Sequence, residues 1–87
     1  MPRIELNKYI VADSEICHGK PTFKGTRIMV WQVLEDLSRG ESWDKIVAAW
    51  DGRISRAAIA ETLRLAQGTF LDPHGHLTPL ALGQLAA

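Results

Sequence analysis

Residues 40–65, GESWDKIVAAWDGRISRAAIAETLRL, constrain the fold more than any other part of the chain. They read as two short amphipathic helices joined by a tight, glycine-containing turn. Ser42 is placed as the N-cap of the first, with Asp44 in the first turn where the helix dipole favours an acid. Trp43, Ile46, Val47 and Trp50 repeat at helical spacing, and Asp51-Gly52 ends the run. Ser55 is placed as the N-cap of the second helix, with Ile54 and Ile59 positioned for a hydrophobic staple. Ile59, Leu63 and Ala66 form its expected inner stripe. This is the outline of a helix-turn-helix, with Arg53, Arg56 and Arg64 flanking its second helix.

An earlier apolar stripe, Val30, Val33, Leu34 and Leu37 widened by Trp31, predicts a further helix over 28–39 that stops at Gly40. Three core helices are therefore expected near 28–39, 43–50 and 56–67. Residues 1–27 have no helical period. Tyr9-Ile10-Val11 and Pro21-Thr22-Phe23 are short extended candidates, and two such strands alone are marginal in water. The expected domain covers 1–68. Residues 69–87 form a separate tail with no Lys or Arg and a single acid, Asp72.

With 87 residues the chain has room for one core, and its 46% apolar content excludes a wholly disordered protein. Ten basic and ten acidic side chains give no net charge, which argues against indiscriminate nucleic-acid binding but leaves room for a local basic patch. The single cysteine, Cys17, excludes an internal disulfide. No apolar run approaches the length of a signal peptide or a membrane span, so a cytoplasmic protein is expected.

Outward positions of the last helix, Arg56 and Arg64, together with Arg53, are the candidate DNA readers, because the guanidinium fork matches guanine. The stretch His18–Arg27 packs Lys20, Lys24 and Arg27 among glycines with no acid, and reads either as a solvated loop whose glycines permit positive φ or as a phosphate-contacting loop beside the helix-turn-helix. Cys17-His18 and His74-x-His76 lack the paired spacing of a zinc site, and no metal, cofactor or catalytic residue is expected. Apolar side chains of the tail, Phe70, Leu71, Leu77, Leu80, Leu82 and Leu85, are candidate anchors for a partner surface, the alternative being that the tail packs back on its own bundle or on a dimer mate. Short strands with a free edge, and the two-fold symmetry of operators, predict a homodimer with the N-terminal strands in its interface.

The run Ile16-Cys17-His18-Gly19-Lys20-Pro21, then Lys24-Gly25-Thr26-Arg27-Ile28, then Val30 and Gly40-Glu41-Ser42 with Ile46, closely resembles the bacterial domain of unknown function 433 family over roughly residues 8–68. Met29 stands where that family usually has proline, and Asp51-Gly52-Arg53 replaces its usual tyrosine-proline turn. The resemblance implies a mainly α, homeodomain-like three-helix bundle with a helix-turn-helix and a small N-terminal β element. It also implies an antitoxin of a type II toxin–antitoxin system, which binds and neutralises a PIN-like ribonuclease toxin and represses its own operon by binding operator DNA. The partner surface expected for the apolar anchors of the tail is then that of the toxin. Such a protein is not an enzyme. The rival expectations are a stand-alone transcriptional regulator without a toxin and a metal-dependent hydrolase using Cys17, His18, His74 and His76.

Overall fold

The computed structural model describes residues 2–79 and residue 83. Element order is β1 (Arg3–Glu5), β2 (Ile10–Asp13), a single 3-10 turn (Cys17–Gly19), β3 (Thr22–Phe23), α1 (Val30–Ser38), α2 (Trp43–Ala49) and α3 (Arg56–Gly68). The strands form one antiparallel sheet in the order β1-β2-β3. Arg3, Ile4 and Glu5 lie opposite Asp13, Ala12 and Val11, while Ile10 and Val11 lie opposite Phe23 and Thr22.

That sheet corrects the expected fold class. The protein is not a mainly α, homeodomain-like bundle but a mixed α/β domain, because the sheet is a wall of the core and not an appendage. Ile10 and Phe23 from the strands, with Ile28 just beyond, are buried in the same cluster as Val33, Ile46, Ile54, Ala58 and Ile59 from the helical half. Ile10 and Phe23 face each other across β2 and β3, so the pleat sends both to one face, where the helices cover them.

The segment between the sheet and α1 explains why lysine, glycine, threonine and arginine follow one another at 24–27. Phe23 and Ile28 are joined by a hydrogen bond from the Phe23 N–H to the Ile28 carbonyl, 3.0 Å. The chain must reverse in between. Gly25 takes φ +79°, a left-handed conformation that glycine adopts without a side-chain penalty. The Thr26 hydroxyl donates to the Phe23 carbonyl at 2.8 Å and accepts from the Ile28 N–H at 3.0 Å, tying both arms of the turn. The Pro21 carbonyl accepts from the Val30 N–H at 2.9 Å, so the residue just before β3 satisfies a donor in the first turn of α1.

The helices begin where their caps direct. Ser42 accepts from the Lys45 N–H and Ser55 from the Ala58 N–H, each at 3.1 Å. Gly40 follows α1 at φ +83°, and Asp51 and Gly52 both adopt positive φ to turn the chain from α2 toward α3. Two packing expectations shift. The buried stripe of α3 is Ala58, Ile59 and Thr62, and Leu63 is 40% exposed. Thr62 tolerates the core because its hydroxyl donates to the Ala58 carbonyl at 3.0 Å. Trp31 is also half exposed, whereas Trp43 and Trp50 pack against the core. No helix among the described residues is long and apolar enough to cross a membrane.

Candidate nucleic-acid interface

Three of the six sequence-nominated basic residues meet around the start of α3. The turn at Asp51-Gly52 delivers Arg53 beside β3, and its N–H is held by the Trp50 carbonyl at 3.0 Å. Lys24 emerges at the end of β3, anchored by its N–H to the Tyr9 carbonyl at 2.8 Å. Both line a groove of about 340 Å³ with Lys8, Tyr9 and the N-capping Ser55. On its other side Arg53 lines a second concavity with Gly25, Thr26 and Arg27. Arg53 thus divides two adjoining hollows, one bordered by Lys8 and Lys24, the other by Arg27. The dipole of α3 adds partial positive charge at the same place.

Lys8 is absent from the sequence-based candidates. It sits in the β1–β2 turn, where the Asn7 side chain accepts from the N–H groups of Tyr9 at 2.8 Å and Ile10 at 3.0 Å. Its ammonium lies 5.5 Å from the centre of the Tyr9 ring. Asn7 is the available signal, as a turn residue ahead of a β-prone run, but it acquires meaning only once β1 is known to precede it.

The electrostatics of this surface are mixed. Lys24 donates to Glu5 at 3.1 Å, and Arg3 stands 3.9 Å from the same carboxylate. Lys24, through its hydrogen bond first and its charge second, holds the Glu5 carboxyl below the usual glutamate range. Both side chains of the pair are exposed to solvent, so the contact is readily exchanged for a phosphate.

The other nominated residues lie elsewhere. Arg56 pairs with Asp44 at 2.6 Å and stands over the Trp43 ring, 5.3 Å from its centre. Arg64 pairs with Glu61 at 2.9 Å. Both pairs are exposed and worth about 0–1 kcal/mol each. Lys20 is exposed just after the 3-10 turn, where its N–H bonds to the Cys17 carbonyl at 3.2 Å. That turn is built from Cys17, His18 and Gly19, all at positive φ.

The first part of the tail is a small hairpin. Leu71 bridges to Leu77, and the Thr78 N–H reaches the Phe70 carbonyl at 3.0 Å. Asp72 shapes its tip, accepting from the N–H groups of His74 and His76, each at 2.9 Å. Phe70 is 47% and Leu77 38% exposed. Leu80, Leu82 and Leu85 lie outside the described residues. Among the described residues no group of three or more His, Cys, Asp or Glu side chains is placed to hold a metal.

The fold and this surface define a small mixed α/β domain with a basic groove at the start of its last helix. The chain belongs to the family described as protein of unknown function (DUF433), whose family model matches residues 10–66. No curated protein and no solved structure matches it.

Proposed function

We propose that this protein is a DNA-binding antitoxin that contacts operator phosphates through the groove at the start of α3 and neutralises a PIN-like ribonuclease. The observation that carries the DNA-binding half is the gathering of Lys8, Lys24, Arg27 and Arg53 around the first turn of one helix in a chain of zero net charge. Local concentration of cations in an otherwise neutral protein favours an anionic partner of defined geometry over indiscriminate adhesion. Arg56 and Arg64 remain candidates for base contact, since exposed ion pairs exchange partners at little cost. The toxin-binding half rests on the family resemblance, and the half-exposed Phe70 and Leu77 supply an apolar surface for it.

The test is binding of the purified protein to duplex DNA from upstream of its own reading frame, followed across salt concentrations, with co-purification of a neighbouring PIN-like gene product. Retarded, salt-sensitive complexes that weaken in Lys8→Ala, Lys24→Ala and Arg27→Ala support the DNA-binding half. Binding unchanged in all three variants overturns it. Phe70→Ala/Leu77→Ala, at two exposed positions, is expected to leave the fold intact and to weaken toxin capture. Full capture by the double variant overturns the role of these side chains.

A further inference from the structure

We propose that two copies of this chain pair edge to edge through β1, antiparallel and centred on Ile4, joining two three-stranded sheets into one. The proposal stands on the strand edge alone and does not depend on the DNA-binding reading.

The sheet has two edges, and they differ. The outer side of β3 is occupied, because Phe23 donates to the Ile28 carbonyl and Thr22 bridges to Met29. Among the described residues the outer side of β1 is the open edge. Inner bonds run from the Ser14 N–H to the Pro2 carbonyl at 3.4 Å and from the Leu6 N–H to the Ile10 carbonyl at 2.9 Å. In an antiparallel ladder these groups alternate, so residues 2, 4 and 6 direct their backbone inward while Arg3 and Glu5 direct theirs outward. Pro2, which has no N–H, falls on the inward row, and the outward row keeps both donors and both acceptors.

That outward row is complementary to itself. A two-fold axis at Ile4 sets Arg3 opposite the partner's Glu5 and Glu5 opposite the partner's Arg3. The four exposed backbone groups of each strand then find partners, and both directly opposed side-chain pairs carry opposite charge, the favourable arrangement across strands. A shift of one residue along either strand loses both pairs.

The apolar side chains agree with the same register. Ile4 and Leu6 are 58% and 41% exposed, although they lie on the sheet face that buries Ile10. They overhang the edge of the core. An axis normal to the sheet keeps faces together, so Ile4 lies beside the partner's Ile4 with Leu6 flanking it. The two helical layers then stand on the same side of the joined sheet, with an apolar strip between them. Burial of that strip is favourable, whereas in a lone chain it stays in water.

Sedimentation velocity across a micromolar-to-millimolar dilution series tests the pairing, with circular dichroism as the check on folding. The wild type is expected to sediment as a concentration-dependent dimer. Arg3→Glu and Glu5→Arg each set like charges opposite one another and are expected to raise the dissociation constant at least about tenfold, equivalent to about 1.4 kcal/mol. An equimolar mixture of the two variants faces opposite charges on both sides of the axis and is expected to recover a dimer. Ile4→Thr keeps a β-branched side chain and tests the apolar contact without touching a charge, with about tenfold weakening expected. A monomeric wild type overturns the proposal. So does dimerisation at wild-type strength in the folded charge variants or in Ile4→Thr, or a mixture that stays monomeric.

Discussion

Replacing Arg53 by alanine should flatten the salt dependence of DNA binding by about one phosphate contact. Arg53 borders both hollows at the start of α3, and its side chain is in none of the ion pairs among the described residues. Each cation that displaces a counterion from duplex DNA contributes about 0.9 to the slope of log affinity against log salt. If Lys8, Lys24, Arg27 and Arg53 each meet one phosphate, the wild-type slope is about −3.6 and that of Arg53→Ala about −2.7. Over a fourfold rise in salt the wild type then loses about 150-fold in affinity and the variant about 40-fold. The fold is expected to be unaffected to within about 0.5 kcal/mol, since Arg53 is exposed and its backbone N–H, which alanine keeps, bonds to the Trp50 carbonyl. Fluorescence anisotropy of a labelled duplex, titrated at several salt concentrations, reads both slopes. An Arg53→Ala slope equal to that of the wild type would refute the placement of phosphate beside this residue.

Two further outcomes test the structure directly. Ile59 is fully buried in the shared core, so Ile59→Ala should cost about 2–5 kcal/mol, seen as a lower urea midpoint at unchanged m-value. Glu5 should titrate below an ordinary glutamate, and Lys24→Ala should return it toward the usual range, as followed by the NMR shift of its carboxyl carbon. Because the folded-state value is depressed, the Lys24–Glu5 contact helps stability above the unfolded carboxyl's pKa and loses that effect as pH falls through the folded one.

The helices were legible because their signals are local. Ser42, Ser55 and Gly40 each act within one turn, and the elements end within two residues of the expected bounds. β1 was not legible, since Arg3-Ile4-Glu5 carries neither a β-rich run nor a buried face and exists only as the partner of β2. Missing it left the sheet looking like an appendage, and made the chain read as a helical bundle. The rotation of α3 was hidden for a different reason: Ile59, Leu63 and Ala66 make an acceptable apolar stripe by spacing alone, whereas Thr62 satisfies its own hydroxyl and enters the core in place of Leu63. At the candidate site, Lys24, Arg27 and Arg53 were found by charge and spacing, but the acids that engage Arg56 and Arg64 depend on helix packing and side-chain rotamer. Asp44 reaches Arg56 from another helix.

The turn between Phe23 and Ile28 has a consequence for how the protein breathes. Through the Pro21 carbonyl and the Thr26 hydroxyl, one short segment holds both the last strand and the first turn of α1. Neither can fray without releasing the other. In native-state hydrogen exchange, the amides of Phe23, Ile28 and Val30 should therefore open together as one cooperative unit, with a common denaturant dependence. The Asp72 amide, bonded to the His76 carbonyl at the tip of the 70–78 hairpin and remote from the core cluster, should exchange earlier and independently of that unit, so that the two ends of the domain open on separate clocks.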